Sequence, residues 1–255
     1  FQRQPDVPTV IDALLDALRA LDVLAADAVP PGYAAAGRTD AGASATAQTV
    51  AFAPPDWLDP AALNAELPAD VCAWASASVG ENFHATHDAT ERAYTFYLHR
   101  PAGDGPADEP LERARRALDR LSGEHDFHKL TPDTDGTVRR LETAVGREGS
   151  LLVLEVRSDG FPRQLVRRLA SLVDEVARGE GGFDRVDRVL GDAAMSGPAG
   201  VAPMPAYPLV LTAVTYPGVA FERHDAGLER ARAVFAERRR EHELRARVNA
   251  RLTVP

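Results

Sequence analysis

Lysine is nearly missing from this 255-residue chain: Lys129 stands alone, and every other one of the 29 basic residues is arginine. Cysteine is as scarce. Cys72 is the only one, which excludes an internal disulfide and any multi-cysteine metal site. It reads as a small buried hydrophobe. No run of eighteen apolar residues occurs, so no segment has the length and character of a membrane-crossing helix. The opening FQRQP is not a signal peptide. It lacks a methionine, and residues upstream of it are expected. There is no G-x-x-x-x-G-K-[ST], no G-x-G-x-x-G following a strand pattern and no H-E-x-x-H, so nucleotide-cradling loops and the zincin site are not indicated. A cytoplasmic protein is expected.

What is abundant is acid. Asp and Glu number 38, giving a formal net charge of -9. An acidic, alanine-rich, lysine-poor surface suits a protein kept soluble in concentrated salt, and a halophilic source is expected. Net charge speaks to solubility and nonspecific association, not to fold.

Hydrophobic spacing supplies the elements. TVIDALLDALRALDVL (residues 9–24) places Val10, Leu14, Leu18 and Leu21 at helical intervals behind a Thr9 cap. DPAALNAELPAD predicts a short helix begun by Asp59-Pro60 and ended before Pro68. QTVAF tends weakly to strand. VCAWASASV (71–79) and RAYTFYLHR (92–100) predict strands, the second rich in aromatics. PAGDGPADEP is a proline- and glycine-rich break between two halves. Beyond it come a helix at LERARRALDRL, a hairpin over TVRRLETAVGREGSLLVLEVRS turning at REGS, and a long helix over FPRQLVRRLASLVDEVARGE. DRVDRVLGD predicts a short helix, LVLTAVTYP a last strand, and the segment from Asp225 a charged helix. Hairpin-like strand pairs mixed with helices favour α+β with a largely antiparallel sheet over a doubly wound parallel one. The expected organisation is an N-terminal half (1–100), a C-terminal half (101–220) and a helical extension (221–255). In that extension Leu228, Ala231, Phe235, Leu244 and Val248 form a partial apolar stripe expected to pack on the core.

Several motifs resolve to ordinary structure. His84 with His87, and His125 with His128, are three apart, but neither pair has a third ligand nearby, so no metal is expected. TPDTDGTVRRLE (131–142) matches part of a calcium loop through Asp133, Asp135, Gly136 and Glu142. Its first position is Thr131 and the segment after it is strand-like, so a polar loop entering a hairpin is expected. Ser44 lies in AGASA, not in a nucleophile elbow.

Asp40 remains. An aspartate before a small turn is an ordinary turn or cap residue on local chemistry alone. The string around it is not ordinary. GRTDAGASA with QTVAF after it resembles the G-R-T-D-x-G-V-H-A signature of the TruA family of tRNA pseudouridine synthases, departing at Ala43 and Ser44. FQRQPDVPTV, ALNAELPADV, ENFHATHDATERAYTFYL, SGEHDFHKL, GFPRQLVRRLASLVDEVARG and GPAGVAPMPAYPLVLTAVTYP resemble further family segments in order and spacing. The resemblance covers about residues 1 to 217. Thr86 stands where the family has arginine, Arg168 where it has asparagine, and Ser171 where it has glycine.

The resemblance implies two similar α/β halves around a largely antiparallel mixed central sheet flanked by helices. It implies isomerisation of uridine to pseudouridine in the anticodon arm of tRNA, at about positions 38 to 40, without cofactor or metal, by a homodimer. Asp40 would be the one carboxylate, as nucleophile or as base. Arg167 would be its charged partner and Tyr94 the ring against the target base. Arg38, Thr39, Arg92, Arg163 and Arg168 would contact RNA. Gly37 and Gly42 would give the backbone its sharp turn. A tRNA-binding protein without catalysis on the same scaffold is the alternative.

Overall fold

A computed structural model of the chain describes residues 7–100, 108–191 and 200–252. Along the chain, α1 (Val10–Ala20) leads to β1 (Ala34–Ala35), β2 (Ser44–Ala45) and β3 (Val50–Ala51), then to α2 (Pro60–Glu66) and β4 (Ala75–Ser76). β5 (Glu91–His99) precedes α3 (Glu109–Leu121), β6 (Gly123–Asp126) and the hairpin of β7 (Val138–Glu148) and β8 (Leu151–Ser158). α4 (Leu165–Ala177), α5 (Phe183–Leu190), β9 (Leu209–Thr215), β10 (Glu222–Arg223) and α6 (Asp225–Leu252) complete the order. None of the described helices is long and apolar enough to cross a membrane.

The packing divides into two units. The larger takes Ala35–Val50 and Ala85–Pro217. It holds a six-stranded sheet in the order β2-β9-β5-β8-β7-β6. β2 pairs parallel with β9, and every other pairing in that sheet is antiparallel. This is the mixed α+β architecture expected. β2 and β5 come from the first hundred residues and the other four strands from later ones, so both halves of the chain build one sheet. Alternation explains the sheet's inner face: Tyr94, Phe96 and Leu98 on β5 and Leu152, Leu154 and Val156 on β8 are buried, two residues apart each time. α3 and α4 cover that face. Leu165, Leu169, Leu172, Val173 and Val176 recur at helical spacing along α4, and all are buried. Each such leucine contributes about 2 kcal/mol through the apolar surface it removes from water.

The second unit takes Phe1–Ala34, Ala51–His84 and Gly218–Pro255. α1 begins with a full capping box: the Thr9 hydroxyl accepts from the Asp12 N–H while the Asp12 carboxylate accepts from the Thr9 N–H at 3.1 Å. α2 begins at Pro60 behind Asp59, whose carboxylate accepts from the Ala62 N–H at 2.8 Å. Both starts agree with the expected ones. The strand expected over residues 71–79 shrinks to β4, because its only ladder partner among the described residues is the two-residue β10. Cys72 is half-buried, not in a core.

α6 corrects a further expectation. Its start docks on this unit: Gly227 lies against the Ala73 carbonyl, Arg230 donates to the Asn64 and Leu67 carbonyls, and Arg238 pairs with Asp70 at 3.0 Å. Phe235, Leu244 and Val248 are exposed, so much of the expected stripe does not pack on the described residues. A Cβ at Gly227 would collide with the Ala73 backbone and would have the Asn64 amide nitrogen 3.0 Å away. Gly227→Ala is therefore expected to destabilise this docking by about 1–3 kcal/mol, read as faster limited proteolysis of α6 with little change in the sheet's hydrogen-exchange protection.

Candidate active site

The turn carrying Asp40 is set by glycine and closed by its own backbone. Gly42 has φ of 88°, a left-handed conformation costly for other residues, and the Ala43 N–H donates to the Asp40 carbonyl at 3.1 Å. Gly37 does not use this freedom; no left-handed φ occurs there. Its carbonyl instead accepts from the Gln48 side-chain amide at 2.8 Å, and the Ala36 N–H donates to the Thr49 carbonyl at 2.8 Å. The loop is thus held at both shoulders.

Across from it, α4 opens from Gln164, a non-glycine residue in the left-handed region at φ 62°. That conformation starts the helix abruptly and puts Arg167 in its first turn. Arg167 Nη1 donates to Asp40 Oδ2 at 2.6 Å, and its Nε donates to the Met204 carbonyl at 2.6 Å. The arginine side chain is 16% exposed and the aspartate side chain 35%. One face of the carboxylate is thereby fixed while the group stays accessible. A charged fork suits this, since it cannot lose its proton and binds two acceptors in one plane.

Tyr94 lies on β5 where the pairing with β9 slips: Ala93 faces Ala213 but Tyr94 faces Leu211, leaving Thr212 as the extra residue of a bulge. Such a bulge re-aims the side chains beside it. The Tyr94 ring meets Phe161 edge-on, with centroids 5.1 Å apart and planes at 90°. Burial pushes the Tyr94 hydroxyl up to about 12; the Arg92 charge opposes this and the Asp40 carboxylate reinforces it. Tyr94 is therefore protonated throughout the neutral range and acts as a hydroxyl, not a phenolate. The folded value exceeds the ordinary 10, so the associated stability is intact below about pH 10 and is lost as pH rises toward 12. Two pH units correspond to about 2–3 kcal/mol. Tyr94→Phe is expected to flatten the fall in stability between about pH 10 and 12, measured by denaturant melts across that range.

The residues expected to contact RNA separate into two groups. Arg38 is exposed and Thr39 half-buried, both on the Asp40 loop, and Arg38 makes no ion pair or side-chain hydrogen bond with the described residues. Arg92, Arg163 and Arg168 are engaged through their side chains within the protein. Arg92 is 8% exposed and spends its guanidinium on the carbonyls of Ala36, Thr86 and Asp159. It braces the loop from beneath. Thr86, where the family has an arginine, donates its hydroxyl to the Ala35 carbonyl at 2.6 Å. Arg163 is paired with Asp133 at 2.5 Å, which also accepts the Arg163 N–H at 2.7 Å. Arg168 donates to Gln164 Oε1 at 2.9 Å and to the Val201 carbonyl. Arg92 reaches RNA only by giving up such bonds, whereas Arg163, bonded through Nε alone and 70% exposed in its side chain, keeps its remaining guanidinium donors for other contacts.

The same pairing accounts for the calcium-like loop: Asp133 is bound to Arg163, and Val138 begins a strand instead of a helix. His125 meets the Ser122 carbonyl at 2.9 Å and His128 the Asp126 carboxylate at 3.2 Å. No cluster of three or more His, Cys, Asp or Glu suited to a metal occurs among the described residues. The Met204 carbonyl carries no signal in the sequence. Phe161 lies in the GFPRQLV segment leading to Arg167, but nothing in its identity says that it touches Tyr94.

The chain is similar to known proteins. A family model described as tRNA pseudouridine synthase matches residues 117–217. The chain is 54% identical over its whole length to the tRNA pseudouridine synthase A of Natronomonas pharaonis, covering 94% of that protein. It is 52% identical over 99% of its length to the protein of the same name from Haloarcula marismortui, again covering 94% of it. A relative of that name from Thermococcus kodakarensis is 33% identical over 93% of the chain and 87% of its own length.

Proposed function

Because the chain belongs to the TruA family of tRNA pseudouridine synthases, a family of isomerases, we propose that it converts uridine to pseudouridine in the anticodon stem-loop of tRNA, at about positions 38 to 40, with Asp40 as the catalytic carboxylate. The observation that carries this reading is the 2.6 Å pairing of Asp40 with Arg167 on a loop held from both sides. The glycosidic N1–C1′ bond breaks, the freed base turns, and a C5–C1′ bond forms while the C5 hydrogen leaves as a proton. N1, freed from C1′, takes up a proton in exchange, so product and substrate are isomers.

Asp40 serves as nucleophile at C1′ or as base toward a ribose hydrogen; both need an ionised and positioned carboxylate, which Arg167 supports. The Tyr94 ring, fixed by Phe161, stands beside the base, and its hydroxyl stays available as a hydrogen-bond donor. The target must leave its stack to be reached. Arg38 and Thr39 contact the backbone next to it. Family membership also supports a homodimer and a cytoplasmic location, and the halophilic relatives support a salt-adapted source.

The test uses unmodified tRNA carrying tritium at uracil C5, in molar salt. Tritium release, with pseudouridine mapped to the anticodon arm, supports the proposal. Binding of tRNA without release establishes the non-catalytic alternative. Release from uridines outside that arm overturns the positional assignment.

A further inference from the structure

Residues 201–208 form a strap along the site, and Arg167 and Arg168 hold it. Arg168 donates to the Val201 carbonyl. Arg167 donates through Nε to the Met204 carbonyl and accepts the Met204 N–H on its own carbonyl at 3.2 Å. The strap's end is pinned by the Tyr97 N–H on the Pro208 carbonyl at 3.2 Å and the Leu209 N–H on the Ala206 carbonyl at 2.9 Å. Val201 and Ala206 are buried. The catalytic turn packs on this segment: a Cβ placed at Gly42 would lie 3.8 Å from Ala206 Cβ and 3.9 Å from the Tyr207 backbone nitrogen.

On this fixed backbone, between Pro205 and Pro208, Tyr207 is 77% exposed. Its side chain makes no hydrogen bond or ring contact with the described residues. Tyr94 is buried, so the two tyrosines near Asp40 have opposite surroundings. An exposed ring on a pre-ordered backbone loses little entropy when it is covered, and a nucleobase splayed out of a loop offers a matching flat face. Salt favours this contact over charge. At about 1 M salt the screening length falls to roughly 3 Å, which weakens phosphate attraction, whereas stacking persists. An acidic protein that binds a polyanion therefore gains most from an aromatic at the site's edge.

We propose that Tyr207 is a positioning residue that stacks on an unpaired base next to the target uridine and so holds the substrate loop against the Asp40 turn. The proposal rests on the isomerase reading above. Tyr207→Leu and Tyr207→Trp are compared with the parent on unmodified tRNA in molar salt. An anticodon stem-loop carrying 2-aminopurine beside the target reports stacking directly by fluorescence quenching. Expected are a rise of about tenfold or more in KM for Tyr207→Leu with kcat within about twofold, a parental KM for Tyr207→Trp, and quenching by the parent and the tryptophan variant only. Parental KM and quenching in Tyr207→Leu overturn the proposal. So does an equal loss in both variants, which would mark a packing role. Absence of turnover in the parent defeats the isomerase reading instead, and the quenching comparison still decides whether Tyr207 stacks.

Discussion

Asp40→Asn is expected to lower kcat for tritium release by about 10⁴-fold or more while tRNA affinity stays within about twofold. Asparagine keeps the shape of the side chain and one oxygen that can still accept from Arg167. It removes the negative charge and with it both nucleophilicity and basicity, so the two roles open to Asp40 fail together. The fold should survive. Arg167 retains the Met204 carbonyl as an acceptor, and the exposed portion of the Asp40 side chain means that water already shares the site. A melting temperature within a few degrees of the parent, together with retained tRNA binding, separates loss of chemistry from loss of structure. Turnover within about tenfold of the parent would remove Asp40 from the mechanism.

Arg167→Met should be the next largest effect, about 10²–10³-fold in kcat. Two contacts disappear at once: the 2.6 Å bond that fixes Asp40 Oδ2 and the 2.6 Å bond to the Met204 carbonyl. The carboxylate is then free to rotate, and the strap bearing Tyr207 loosens. The rate should suffer more than stability, because a pair with one partner this exposed contributes only about 1 kcal/mol or less to folding. Arg167→Lys discriminates between charge and geometry. Lysine restores the cation but cannot fork onto two acceptors in one plane, so recovery to within about tenfold of the parent would make charge the main requirement. Kinetics as poor as those of the methionine variant would make the double contact essential.

Local chemistry determined much of this protein from sequence. Thr9 with Asp12, and Asp59 with Pro60, announced two helix starts because a cap needs only residues three apart. The β7–β8 hairpin and α4 were legible because long segments repeat their burial period several times, and β5 through its aromatic-rich run. The Asp40 turn stood out as a string of neighbouring residues and named the family by resemblance. Tertiary structure decided what depends on distant partners. Asp40 and Arg167 are 127 residues apart, and their contact exists only once the loop is braced and α4 begins where it does. Arg92 reads in sequence like any arginine offered to phosphate; three carbonyls from separate segments make it a buried brace. The strand expected at 71–79 had the alternation but found only two residues of ladder, since strand length is set by the partner. Tyr207 was one aromatic among several until the strap fixed its backbone and left its ring in solvent. Periodicity and capping are written in near neighbours, whereas the environment of a charge or a ring is assembled by segments that meet only in the folded chain.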